Sequence, residues 1–162
     1  VPKIFAYRSQ PQVAERITST ATDLESLAER FGDDTTAVIV EQDGRLIGDL
    51  MVGSRDAYAQ REVAERAAGS EAELGWTFDP GHHGRGLATE AIRALIGICF
   101  DELGLRRVAT AWFTGNEPSW RLMERVGMRR EAHHIANSLH RDHGWLDEYV
   151  YALPVDDWPR PA

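Results

Sequence analysis

The chain has 162 residues, 43% hydrophobic and 27% charged, which suits one domain over 1–162 with a full core and no repeat or composition break. A net charge of −8 argues against nucleic acid, whose phosphates need a basic face, and tilts toward a cationic acceptor such as an amine. No apolar run approaches the roughly 20 residues of a membrane span, the start does not read as a signal peptide, and the single Cys99 excludes an internal disulfide framework, so a reducing, cytoplasmic setting is expected.

Residues 4–17 read as helical material broken near Pro11. Thr22, Asp23, Leu24 and Glu25 have capping-box spacing, and Leu24, Leu27, Ala28 and Phe31 recur at helical intervals before Gly32. Two β-branched runs, 36–41 and 45–52, flank Gln42, Asp43 and Gly44 as a hairpin would. The polar stretch 54–70 is a long loop or a short exposed helix, and 72–78 is the next strand. A helical pattern covers 87–103, with Ile92, Leu95, Ile96, Cys99, Phe100 and Leu103 on one buried face. Residues 107–113 then read as a strand and 117–126 as a helix stopped by Gly127. Two more strands follow, the last over 147–153, and Pro154 onward is tail. The pattern implies an α/β (α+β) domain, a mixed sheet covered by helices.

Between the strand 72–78 and the helix lies Asp79-Pro80-Gly81-His82-His83-Gly84-Arg85-Gly86-Leu87-Ala88-Thr89-Glu90-Ala91. A glycine-punctuated turn that opens a helix offers amides without internal partners, in the positive field of the helix dipole, to an anion such as a nucleotide diphosphate. Gly84 and Gly86 remove side chains that would hold a pyrophosphate off the backbone. The segment lacks the Lys-Ser/Thr pair of a triphosphate loop and the three glycines of a dinucleotide loop.

His83-Gly84-Arg85-Gly86-Leu87-Ala88 resembles the Gln/Arg-x-x-Gly-x-Gly/Ala signature of the GNAT superfamily of N-acetyltransferases. The likeness runs on through Thr89-Glu90-Ala91, Asn116-Glu117-Pro118-Ser119 and Leu122-Met123-Glu124-Arg125-Val126-Gly127-Met128, in the order seen in the branch that acetylates ribosomal-protein N-termini and small amines. His83 departs from it, standing where Gln or Arg is usual. The resemblance implies a mostly antiparallel central sheet with splayed central strands. The family's first strand has no counterpart ahead of Val1 and is expected to be missing.

It further implies acetyl-CoA as co-substrate, transferred directly to a primary amine on a peptide N-terminus or small molecule, by a monomer or homodimer. The pyrophosphate would be held by the backbone amides of Arg85, Gly86, Ala88 and Thr89, with the Thr89 hydroxyl as a further donor and Arg85 as charge at the rim or a solvated arginine; His83, Gly84 and Leu87 complete the cofactor-binding turn. The pantetheine would run along Trp76, Thr77 and Phe78, whose side chains read as core, and Asn116 would bond it while also capping its helix. Ser119 would assist the departing thiolate. Glu73, on the strand lining the thioester site, is the favoured general base, with a carboxyl pKa raised by burial; His82, His83 and a water-mediated base are alternatives. Asp147 and Tyr151 could orient an acceptor or cap the sheet edge. No metal is expected, because His133, His134, His140 and His143 match no zinc spacing. The rival reading is an acyl-CoA sensor that binds without turnover.

Overall fold

In a computed structural model of the chain, the structure describes residues 2–18, 20, 23, 25–26 and 35–159. Two short helices come first, α1 (Pro2–Arg8) and α2 (Pro11–Ala14), with Pro11 at the first position of the second, where a missing N–H costs nothing. The helix expected before Gly32 lies largely outside the described residues. Within them, the Ser26 amide donates to the Asp23 carboxylate at 2.8 Å and the Asp23 amide to the Ser26 hydroxyl at 3.3 Å. This reciprocal pair sits one residue later than the expected box.

Strands β1 (Thr35–Gln42) and β2 (Arg45–Arg55) form the expected hairpin. Asp43 and Gly44 have φ of 50° and 72°, the twist a two-residue hairpin turn requires. An exposed 3₁₀ turn (Arg61–Arg66) leads to β3 (Glu71–Phe78). Then follow α3 (Leu87–Gly97), β4 (Arg107–Phe113), α4 (Glu117–Arg125), β5 (Arg129–His140) and β6 (Gly144–Pro154). The six strands stand in the order β1-β2-β3-β4-β6-β5, antiparallel throughout except where β3 meets β4.

That parallel pairing is short. It joins Glu71, Ala72 and Glu73 to Arg107, Val108 and Ala109 and goes no further. Beyond it the two strands part, and the sheet opens toward the end where Phe78 hands over to the glycine-rich turn. The expected splay is present.

Alternate residues of a strand face opposite ways, so each face has its own cover. Leu50, Leu74, Trp76, Val108 and Tyr151 share one core with Ile92, Leu95 and Ile96 of α3 and Leu122 and Met123 of α4. Asp49 and Thr77, paired across β2 and β3, point to the other face, where α1 docks.

Two expectations need correction. Leu103 is 58% exposed, although Cys99 and Phe100 are buried. The helix ends in a π turn (Ile98–Glu102) with Leu103 N–H bonding to Ile98 C=O, and the wider turn rotates Leu103 out of the α-helical stripe. Residues 154–159, expected as tail, are tied to the domain. The Val155 amide bonds to Arg106 C=O, and Trp158 packs edge-on against Phe100 with ring centres 5.9 Å apart.

Candidate active site

The gap between β3 and β4 continues into a cleft of about 910 Å³. Trp76, Thr77 and Phe78 line it from β3, and Trp112 lines it from β4. The Trp76 and Trp112 rings lie 5.4 Å apart across the gap, and the Trp112 indole N–H is held by the Thr110 hydroxyl at 2.9 Å. Trp76 and Phe78 are also core residues, as expected.

At one end of the cleft stands the glycine-rich turn. The Asp79 carboxylate accepts from the Gly81 amide at 3.1 Å and so shapes a single 3₁₀ turn (Pro80–His82). Gly84 and Gly86 then take φ of 75° and 78°, a left-handed conformation that side-chain-bearing residues rarely adopt. These two residues redirect the chain into α3, whose first internal bond runs from Glu90 N–H to Gly86 C=O at 3.1 Å. The amides of residues 84–89 consequently have no hydrogen-bond partner among the described residues. Six consecutive unpaired donors at a helix start are an arrangement that can hold an anion.

His83, Gly84, Gly86, Leu87, Ala88 and Thr89 all line the cleft. Arg85 does not; it is exposed. The His83 ring reaches back toward Phe78 C=O at 3.3 Å. The atypical first position of the motif thus braces the strand end from which the turn departs. His82 lines the cleft with its Nδ1 buried and unbonded, 3.7 Å from the Asp79 carboxylate.

Across the cleft, α4 contributes Asn116, Pro118 and Ser119 at its start. Asn116 is 5% exposed, yet its side-chain amide makes no hydrogen bond to any described residue. This corrects the expected side-chain cap. With ψ at 64° the side chain is turned off the helix start, and the Asn116 carbonyl takes the first amides instead, from Ser119 at 3.1 Å and Trp120 at 3.3 Å. The residue is buried but its unpaired amide atoms are not, so the amide is open to the cleft as a hydrogen-bonding group. The Ser119 hydroxyl is equally uncommitted to any described residue.

Glu73 is placed otherwise than expected. Its side chain is 44% exposed, pairs with Arg55 at 2.8 Å, and does not line the cleft. The burial expected of it is missing, because β3 and β4 are still paired there. Tyr151 is core; its hydroxyl donates to Glu124 at 2.9 Å, and its pKa is pushed up to about 12 by burial and by that carboxylate. Asp147 binds the Ala136 amide at 2.9 Å and the His133 ring at 2.8 Å on β5, which lowers its pKa. His134 faces Glu148 at 3.4 Å, while His140 and His143 lie against Glu15.

Sequence reasoning missed part of the cleft. Arg93 and Arg125 line it from α3 and α4, and Gln12, Val13, Arg16 and Ile17 line it from α2 and the residues after it. Arg16, Arg93 and Arg125 have no acidic partner among the described residues, so their charge is available to an anionic ligand. The 3.6-residue spacing from Thr89 to Arg93 could have pointed to the second of these; nothing local points to α2.

A domain family described as "Acetyltransferase (GNAT) domain" matches residues 1–129. An uncharacterized N-acetyltransferase of Bacillus subtilis, YnaD, is 36% identical over 86 residues, which is 53% of this chain and 50% of that protein. The chain spans about half the length of the relatives it matches in this way. A GNAT-family acetyltransferase from Bacillus anthracis superposes with a TM-score of 0.76 at 27% identity, over 96% of this chain and 89% of that one. RimJ of Mycobacterium smegmatis, solved in complex with CoA-disulfide, has the same fold, with a TM-score of 0.76 at 22% identity over 96% of this chain and 77% of that one.

Proposed function

The chain belongs to the GNAT acetyltransferase family, and from that premise we propose that it transfers the acetyl group of acetyl-CoA to a primary amine by direct attack in a ternary complex. The observation that carries this reading is the row of unpartnered amides over residues 84–89, set at the end of a cleft that opens between two parted parallel strands. The amides and the α3 dipole take the pyrophosphate. Arg93 and Arg125 supply the cationic rim a polyphosphate needs. The pantetheine lies along Trp76, Thr77 and Phe78, pairing with backbone that β4 leaves free, and the Asn116 amide fixes it from the other side. An N–H near Thr77 or Phe78 stabilises the oxyanion as the amine attacks. Ser119, beside the sulfur, protonates or hydrates the leaving thiolate. Holding both reactants in one cleft removes most of the encounter cost.

The acceptor is a peptide N-terminus or a small-molecule amine, which arrives as ammonium and must lose a proton before attack. With Glu73 exposed and paired to Arg55, water in the open cleft or the His82 ring is better placed to take that proton. Calorimetric titration with acetyl-CoA tests the binding half of the proposal, and coenzyme A release with peptide, polyamine and aminoglycoside amines tests the transfer half. Acetyl-CoA binding with no amine turned over would favour a sensor; no binding would end the reading altogether.

A further inference from the structure

We propose that Arg16 is a specificity-determining residue, and that the amine acetylated here carries a carboxylate close to the nitrogen that attacks. This deepens the acetyltransferase reading above and rests on it.

The charge of the cleft is opposite in sign to that of the chain. Against a net −8 for the whole protein, the charged side chains that line the cleft among the described residues are three arginines and one carboxylate, Arg16, Arg93, Arg125 and Glu90. Glu90 and Arg93 belong to α3 and Arg125 to α4, the helices that carry the glycine-rich turn and Asn116. A cofactor held by that turn, by β3 and by Asn116 therefore has Glu90, Arg93 and Arg125 at its own end. Arg16 alone comes from another part of the chain. A polyamine or an aminoglycoside needs several carboxylates around it, and the described lining offers one, beside the nucleotide.

Arg16 stands just past α2. Its amide bonds to Val13 C=O at 3.0 Å and the Ile17 amide to the same carbonyl at 3.3 Å, so the helical winding runs on and keeps Gln12 and Arg16 on one side. Val13 and Ile17, each 7% exposed, fix this backbone. The preceding α1 is held by the Tyr7 and Arg8 side chains on Asp49, on the face of the sheet away from α3 and α4. Other charges near Arg16 are already committed. Arg8 is bound to Asp49 with its Nε at 3.0 Å, and Arg141 donates to Ala14 C=O at 2.7 Å and Ile17 C=O at 2.9 Å. Glu15, the adjacent carboxylate, faces His143 at 3.7 Å and does not line the cleft. Arg16 is exposed and bonds to no described residue, so its guanidinium is free for a ligand. That planar fork matches a carboxylate through two parallel bonds and repels a second ammonium on the acceptor.

The test uses acceptors paired by charge. Ala-Asp-Ala amide is compared with Ala-Asn-Ala amide for a peptide N-terminus, and β-alanine with its amide for a free amino acid. Coenzyme A release by the unaltered protein should give a kcat/KM about tenfold higher for the carboxylate member of at least one pair. Arg16→Gln should bring that ratio to about one, through KM rather than kcat, with acetyl-CoA affinity within about twofold of the parent. Arg16→Glu should reverse the preference. Ratios near one for both pairs, a ratio that survives Arg16→Gln, or spermidine turned over faster than either carboxylate acceptor overturns the proposal. A loss of acetyl-CoA affinity beyond tenfold in Arg16→Gln places Arg16 on the cofactor and overturns it as well. If acetyl-CoA binds and no amine is turned over, the transfer reading falls by itself, and calorimetric titration of the same pairs into protein loaded with coenzyme A still decides what Arg16 recognises.

Discussion

Replacing Gly86 with alanine separates the binding role of the turn from its conformational role. At φ of 78° an alanine carries the left-handed strain of about 1–2 kcal/mol. A Cβ there meets no heavy atom within 4 Å, so the fold has room for it and strain is the whole structural cost. For a chain of this size that corresponds to a fall in Tm of about 2–8 °C. The open space next to Gly86 belongs to the cleft, and a methyl group would keep a phosphate from the amides around it. Losing two charge-assisted bonds at about 1.5–3 kcal/mol each weakens acetyl-CoA by about 10²-fold or more. Gly127 provides the control. Its φ is 96°, its added Cβ also meets nothing within 4 Å, and it does not line the cleft. Gly127→Ala should lose comparable stability and keep its affinity. Calorimetric titration of both folded variants, beside their thermal melts, makes the comparison. Equal affinities for acetyl-CoA in Gly86→Ala and Gly127→Ala would refute the assignment of the turn.

Ser119→Ala should lower kcat by about 10²-fold, with Tm and KM for acetyl-CoA nearly unchanged, since its hydroxyl holds no described residue and steady-state kinetics would report only the leaving-group step. Glu73→Gln should leave the pH profile of kcat/KM within about twofold of the parent, because Glu73 lies outside the cleft beside Arg55; loss of an acidic limb would return it to the chemistry. Cys99 should resist a thiol reagent at pH 8 until the protein is denatured, as the side chain is inaccessible and burial pushes its pKa up to about 11. The Glu131 carboxyl is pushed up by burial, but its bonds to Arg107 and Arg129 outweigh that and hold it below the usual range. The stability it contributes is therefore complete above the ordinary glutamate pKa and lost as pH falls through its lowered folded value. Thermal melts of Glu131→Gln should converge on those of the parent at acid pH and lie below them near neutrality.

Much of this protein was written locally in its sequence. Turn chemistry placed the Asp43-Gly44 hairpin, and the two glycines before Leu87 placed the left-handed turn that opens α3, because left-handed backbone and helix starts are short-range features. The buried stripe of α3 followed from the helix period as far as Phe100 and failed at Leu103, where a π turn broke that period. What the sequence could not determine depends on where strands stop pairing and what lies across from them. Glu73 sits on the strand that lines the cleft, but three residues of continued pairing with β4 leave it outside, in solvent and against Arg55. Asn116 suits a cap by type, and only its ψ frees the amide for the cleft. The wall formed by α2 has no local signal at all. It exists because Arg141 and His140, more than 120 residues further along, supply partners for carbonyls that so short a helix cannot satisfy itself.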